Sequence, residues 1–288
     1  MRDTKISVAL LQQSCSTDST DNVVQALDRI RDAASAGAQI ILLQELFNTT
    51  YFCQTVDEQY FDWAQRIPGP ITEELTMLAR ELEIVIVAPF FERRTAGIYH
   101  NSLVVIDADG TLLGTYRKKH IPDDPGFYEK YYFTPGDEEY RVFDTRYAKI
   151  GTLICWDQWY PEAARITALK GAELLVYPTA IGTLPDEKAT EEQQFLEAWQ
   201  TIQRSHAIAN GCYVASINRV GQEGDINFWG HSFLAGPFGE MLAEAGSKEE
   251  TLTADIDLSA IEKQRREWPF FRDRRIDTYA PILKRVID

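Results

Sequence analysis

The sequence predicts an α/β protein, a four-layer α-β-β-α sandwich, on three observations. Short apolar runs alternate with amphipathic helical segments along the chain. Several of the runs are apolar throughout, as in strands covered on both faces. The order of elements in the first half recurs in the second. Each half can then form a sheet with helices on one face only, and the two bare faces must pack on each other.

The first strand covers residues 5–12. Its apolar part, Ile6-Ser7-Val8-Ala9-Leu10-Leu11, is too short for a signal-peptide core and runs into Gln12-Gln13. A helix follows, capped by Thr20 or Asp21, with Val23, Leu27, Ile30 and Ala34 at helical spacing and Gly37 to end it. Ile40–Leu43 is a buried strand. A second helix over 72–83 places Leu75, Leu78, Ala79 and Leu82 on one side, and 84–88 is the next strand. Strands at 102–106 and 112–117 flank Asp107-Ala108-Asp109-Gly110, a hairpin signal.

In the second half, 149–154 is a strand, Pro161 opens a helix that Gly171 closes, and 174–177 is a strand. A longer helix over 191–209 precedes strands at 213–217, 233–235 and 252–256. No Pro-, Gly- or Ser-rich linker divides the halves, so residues 1–288 read as a single domain. The stretch from about 266 to 288, with Trp268, Phe270 and Phe271 among charges, reads as a C-terminal arm, either reaching a subunit interface or packed as a tail.

The 288 residues include 29 Lys and Arg against 44 Asp and Glu, a net charge of -15. A field of that sign repels phosphate backbones and anionic lipid, so neither nucleic acid nor membrane is an expected partner. Cys15, Cys53, Cys155 and Cys212 form no C-x-x-C pair, which argues against a disulfide framework and for a reducing cytosol. No apolar run approaches the roughly 18 residues of a membrane helix. A cytoplasmic protein is expected. His100, His120, His206 and His231 lack ligand spacing, so no metal is expected. The nucleophile elbow, phosphate loop and dinucleotide fingerprint are absent.

Three polar residues end apolar strands: Glu45, Lys118 and Cys155. Singly, each has an ordinary explanation, an inert small thiol or a chain reaching water. Together they are informative, because strand ends are where distant segments of α/β proteins converge on pockets. A thiol, a carboxylate and an ammonium there supply a nucleophile, a general base and an oxyanion partner.

In these segments the chain resembles the nitrilase superfamily of carbon–nitrogen hydrolases. The matching stretches are Leu43-Gln44-Glu45-Leu46-Phe47, Tyr116-Arg117-Lys118-Lys119-His120 and Leu153-Ile154-Cys155-Trp156-Asp157, spaced 73 and 37 residues apart at the three polar residues. The resemblance implies the four-layer sandwich, a Glu45-Lys118-Cys155 triad, Glu129 as a second active-site glutamate, no cofactor, and a homo-oligomer. Within the superfamily, the stretches 120–128, 155–162 and 177–182 are most similar to N-carbamoylputrescine amidohydrolases. That likeness implies a small carbamoyl amine substrate, split to putrescine, ammonia and carbon dioxide in polyamine biosynthesis. Relatives often carry Glu where this chain has Leu184, and there it can hold a substrate ammonium.

Relatives that act on N-carbamoyl amino acids place arginine shortly after the nucleophile, to grip a carboxylate. Here Trp156-Asp157-Gln158-Trp159-Tyr160 has none. Trp156, Trp159 and Tyr160 offer apolar walls for a methylene chain, while Asp123, Asp124, Asp186 and Glu187 can hold a terminal ammonium. The alternatives are an N-carbamoyl amino acid or β-ureidopropionate hydrolase, an aliphatic amidase or a nitrilase. Outside enzymes the alternative is a non-catalytic assembly module, against which the retained Glu45, Lys118 and Cys155 argue.

Overall fold

The computed structural model describes residues 3–287. The first half contains β1 (Lys5–Gln12), α1 (Ser19–Ser35), β2 (Ile40–Leu43), α2 (Pro70–Leu82), β3 (Val85–Thr95), β4 (Ile98–Ile106), β5 (Leu112–Arg117) and the one-turn α3 (Glu129–Tyr132). The second contains β6 (Val142–Asp144), β7 (Lys149–Thr152), α4 (Pro161–Leu169), β8 (Leu174–Pro178), β9 (Gly182–Thr183), α5 (Ala189–Asn210) and β10 (Tyr213–Ile217). It closes with β11 (Val220–Glu223), β12 (Ile226–Trp229), β13 (Phe233–Ala235), β14 (Met241–Glu244), β15 (Glu250–Asp257) and α6 (Ser259–Glu267).

Two six-stranded sheets share one plan. The first runs β15-β1-β2-β3-β4-β5 and the second β14-β13-β10-β8-β7-β6. In each, three central strands are parallel and the flanking strands antiparallel. Alternate residues of the apolar strands serve different cores, because successive side chains leave a strand on opposite faces. Ala9, Leu11, Ile41 and Leu43 meet Leu27 and Ile30 of α1 and Leu75 and Leu78 of α2. Val8, Leu10, Ile40 and Leu42 join Ile150, Leu174 and Val214 of the second sheet. That is why these strands show no polar alternation, and it makes the α-β-β-α sandwich.

Several boundaries differ from expectation. Helix α1 is capped by Asp18, whose Oδ1 accepts from the Thr20 and Asp21 amides at 2.8 and 3.4 Å, not by Thr20 or Asp21. Helix α2 begins at Pro70, whose fixed φ suits a first helical position, and Glu83 lies beyond it at φ 52°. The strands expected at 84–88 and 102–106 belong to a longer hairpin, β3–β4, that turns near Gly97. The strand expected over 149–154 ends at Thr152. Unanticipated are β6, β14 and a small third sheet, β11-β12-β9.

The C-terminal boundary expected near 266 falls inside the last turn of α6. Beyond it Trp268 stacks on Phe238, and Phe271 lies beneath Arg165 and Arg265, so the start of the arm packs on its own chain. Ile276, Ile282, Leu283, Val286 and Ile287 are exposed, Leu283 by 90%. Asp288 lies outside the described residues. Among the described residues no helix is long and apolar enough to cross a membrane.

Candidate active site

Glu45 leaves the end of β2, Lys118 the end of β5 and Cys155 the end of β7, so both sheets deliver a residue to one place. All three side chains are buried, as is Glu129 at the start of α3. The Lys118 ammonium donates to Glu45 Oε1 at 2.8 Å and to Glu129 Oε2 at 2.6 Å. Asn101 Nδ2 also donates to Glu45 Oε1, at 2.7 Å, while the Asn101 carbonyl accepts from the Lys118 amide. With two donors on Oε1, the buried Oε2 of Glu45 is left without a partner among the described residues. The Tyr51 hydroxyl donates to Glu129 Oε1 at 2.8 Å.

Cys155 sits at φ 41°, a left-handed conformation costing a non-glycine residue roughly 1–3 kcal/mol. A short 3-10 helix, Cys155–Trp159, starts at this kink. Asp157 holds it there. Its carboxylate accepts from the Ile154 amide at 3.0 Å, the Tyr116 hydroxyl at 2.7 Å and the His120 amide at 3.0 Å, and meets His120 Nδ1 at 2.6 Å. The Cys155 turn is thereby tied to the strand end that carries Lys118. Gln158 ties it to α5, accepting from Trp199 Nε1 at 2.9 Å through its side chain and from His206 Nε2 through its carbonyl.

Cys155 and Glu129 line a cavity of about 490 Å³. Its walls include Phe127, Trp156, Trp159, Ile181, Leu184 and Trp229. Asp124, Asp186 and Glu187 lie on its lining too; the first two are exposed and mark the mouth. Glu187 also accepts from the Leu184 amide at 2.7 Å. Two expectations need correction. Tyr160 is not in the wall; its ring stacks on His120 at 3.7 Å, because the 3-10 turn rotates it away from Trp156 and Trp159. Asp123 is exposed and outside the lining.

The electrostatics follow from burial. Burial pushes the Cys155 thiol well above its ordinary value, and Glu45 and Glu129 add to that while Lys118 opposes it. Burial raises Glu129 to about 7, with the Glu45 charge adding and Lys118 and Tyr51 opposing. Burial pulls Lys118 down, but the Glu129 and Glu45 carboxylates outweigh it and leave the ammonium held well above its usual range. The resting site is therefore a buried ammonium hydrogen-bonded to Glu45 and Glu129 beside a protonated thiol. Such a thiol becomes a nucleophile only as its proton leaves for a nearby base.

Asn101, Tyr51 and Asp157 were missing from the sequence-based site. The polar runs of motif around Cys155 contained Asp157, but nothing in the chain marks its distant partners. No group of three or more His, Cys, Asp or Glu side chains among the described residues is arranged to hold a metal ion.

Comparison with known proteins gives a coherent picture. The family model described as carbon-nitrogen hydrolase matches residues 7–266. An N-carbamoylputrescine amidase of Solanum lycopersicum is 48% identical over 96% of this chain and 95% of that protein. A citrullinase of Francisella tularensis is 43% identical over 97% of this chain and 99% of its own. The crystal structure of a carbon-nitrogen hydrolase from Helicobacter pylori G27 superposes with a TM-score of 0.96 at 46% identity, covering 98% of this chain and 100% of that one.

Proposed function

The chain belongs to the carbon–nitrogen hydrolase family and is a hydrolase of carbon–nitrogen bonds; within that family we propose that it cleaves the ureido group of N-carbamoylputrescine. The cavity carries this assignment: a thiol and a carboxylate line its buried end, aromatic and aliphatic walls follow, and carboxylates stand at its mouth. A ureido head, a methylene chain and a terminal ammonium match those three zones in order. The tomato relative, named for the same substrate, supports it.

In the proposed mechanism Cys155 is the nucleophile and Glu45 the base. Oε2 of Glu45, free of other partners, takes the thiol proton as sulfur bonds to the carbamoyl carbon. The carbonyl electrons move to oxygen, where the Lys118 ammonium and the Trp156 amide, in the first turn of a helix, stabilise the charge. Losing one such donor costs about 3 kcal/mol of transition-state stabilisation. Protonated Glu45 then donates to a departing nitrogen. Water, deprotonated by Glu45, attacks the acyl-cysteine and restores the thiol. The second amine leaves with carbon dioxide, so one ureido group and one net water give amine, ammonia and carbon dioxide. Glu129 and Tyr51 keep Lys118 in place.

A second substrate has its own support. Citrulline joins a ureido group to an amino-acid head, and a citrullinase is 43% identical. The indole Nε1 atoms of Trp159 and Trp229, in the cavity wall, are buried without a partner and suit a carboxylate acceptor. Ammonia release measured with N-carbamoylputrescine, citrulline, an N-carbamoyl amino acid, a simple amide and a nitrile decides the matter. The highest kcat/KM is expected for N-carbamoylputrescine; a preference for citrulline or another acid overturns the diamine assignment.

The C-terminal arm exposes Ile276, Ile282, Leu283, Val286 and Ile287; exposed apolar side chains grouped along one segment suit an interaction surface, and we propose a homo-oligomer that works in the cytoplasm. Sedimentation at micromolar concentration is expected to give a multiple of the chain mass; a monomer would refute it.

A further inference from the structure

The ion pair between Arg219 and Glu223 stands outside the cavity lining, yet it holds the backbone of Glu45 and connects to Glu129 through Tyr51. Both residues are buried, Arg219 completely. The guanidinium donates through Nη1 to the two Glu223 oxygens at 2.7 and 2.8 Å and to the Thr49 carbonyl at 3.0 Å. Through Nη2 it donates to the carbonyls of Glu45 and Leu46 at 3.0 and 2.9 Å. Glu223 Oε2 also accepts from the Tyr51 amide at 2.6 Å. The Tyr51 hydroxyl in turn meets Glu129. One pair thus grips the chain at residues 45, 46, 49 and 51.

That segment needs a grip. Leu46 has φ 51°, a left-handed conformation disfavoured for any residue with a Cβ. A buried ion pair is weak evidence for stability, because apolar residues of similar volume usually hold a fold as well or better. What apolar residues cannot do is hold three carbonyls and a carboxylate in fixed directions at once. The planar fork of arginine does this, and a lysine ammonium does not.

We propose that Arg219 and Glu223 are positioning residues for the reaction. They fix the 45–51 segment so that Glu45 directly, and Glu129 through Tyr51, stand on either side of Lys118. This rests on the catalytic assignment of Glu45, Lys118 and Cys155 given above.

The test compares Glu223→Gln with the double variant Arg219→Met/Glu223→Gln. Glutamine keeps an acceptor for Tyr51 and the guanidinium. The double variant removes both charges and so leaves neither buried alone. Folding is checked by circular dichroism, and activity is taken per folded site with the substrate the parent protein turns over best. A displacement of about 1 Å costs roughly 100-fold in rate, so the double variant is expected to lose about that much kcat while KM stays within about threefold. The single variant is expected to lose about tenfold by the same reasoning. In both, and more in the double variant, the acid limb of the pH–rate profile moves upward, because a less firmly held 45–51 segment weakens the hydrogen bond from Tyr51 to Glu129.

A folded double variant, or Glu223→Gln alone should the double not fold, with kcat within twofold of the parent and an unmoved profile would overturn the proposal. Cys155→Ala serves as the separate control. Turnover surviving in that variant would refute the catalytic assignment itself, whereas a failure of the positioning role leaves its inactivity intact.

Discussion

The two ends of the active-site cavity are built on opposite principles. At the buried end Lys118, Glu45, Glu129 and Asp157 have almost no exposure, and most of their polar atoms are engaged by named partners. At the mouth Asp124 and Asp186 are exposed, and Glu187 is held only by a local amide. The first arrangement resists change: one altered atom disturbs several hydrogen bonds in a low dielectric. The second is tolerant, since solvent screens each charge. On the proposed mechanism the hydrogen-bonded buried end sets the reaction type, and the exposed acids at the mouth are the candidates for substrate choice. Relatives named N-carbamoylputrescine amidase and citrullinase, at 48% and 43% identity, fit that division.

The comparison is broken most directly at Cys155, the proposed nucleophile. Cys155→Ala is expected to remain folded and to lose turnover by several orders of magnitude, since no neighbouring group replaces a covalent nucleophile. Retention of more than about one percent of parental kcat would contradict the assignment. Iodoacetamide offers a complementary measurement. Burial raises Cys15 to about 11 and Cys212 to about 12, and raises Cys53 and Cys155 well above the ordinary range, so resting thiolate does not separate the four. Cys155 alone among them lines the cavity, beside Glu45 and Lys118. It is expected to be labelled first, with loss of activity in step.

The next effect is on pH dependence. Glu129 titrates near 7, raised chiefly by burial, with Glu45, Lys118, Tyr51, Cys53 and Cys155 as the charged or titratable groups around it. Its ionised form holds Lys118. As pH falls through 7 the carboxylate gains a proton, the ammonium loses one of its two anchors, and kcat/KM should decline tenfold per unit on the acid side. The limb is therefore expected near 7 and not near an ordinary glutamate value. Glu129→Gln should abolish the limb at a large cost in kcat. A flat profile from pH 5 to 8 in the parent protein would remove Glu129 from the reaction.

Asp157→Asn tests how far the buried end depends on residues that never touch substrate. The carboxylate accepts from Ile154, Tyr116 and His120, and an amide cannot accept all of these at once. A charged buried acceptor contributes about 1.5–3 kcal/mol per hydrogen bond. The variant should melt several degrees lower and lose kcat more than KM, through release of the Cys155 turn. Unchanged melting would show that the turn is held by its backbone alone.

What was legible in the sequence follows the same division. Strand ends are visible where a strand-like segment gives way to a chemically distinct residue: Glu45 follows the apolar run Ile40–Leu43 and Gln44, Cys155 follows Leu153-Ile154, and Lys118 follows the mixed segment Leu112–Arg117. The sandwich was legible because alternate residues of each strand serve two cores, which leaves uniformly apolar runs. Asn101 and Arg219 were not legible. Asn101 meets Glu45 56 positions away, and Arg219, beyond its pair with nearby Glu223, meets carbonyls 170 to 174 positions away; local pattern carries no information about such partners. Tyr160 was misjudged for a local reason: aromatic neighbours in a 3-10 turn point in different directions, and only two of the three face the cavity. The β3–β4 hairpin was underestimated because Glu92-Arg93-Arg94 reads as a loop, whereas Glu92 is paired with Arg117 at 2.6 Å and buried within the strand.

The smallest effect belongs to the mouth, where Asp124→Asn, Asp186→Asn and Glu187→Gln each remove one charge. An exposed ion pair contributes less than about 1 kcal/mol, so each change should raise KM for N-carbamoylputrescine by no more than about fivefold and leave kcat alone. Combined changes should add, and the effect should shrink in high salt, where the screening length falls to roughly 3 Å. Glu187 is expected to matter least of the three, because its carboxylate is already committed to the Leu184 amide. Leu184→Glu extends the test inward. Leu184 is partly buried in the wall, and a carboxylate there would face a substrate ammonium with less water to screen it. If the mouth selects a cationic tail, Leu184→Glu lowers KM for the diamine substrate and raises it for ureido acids, while the mouth variants shift both modestly the other way. If all four substitutions leave the ratio of kcat/KM between the two substrates unchanged, the exposed acids are solvation only, and selectivity lies with Trp159 and Trp229 deeper in the wall.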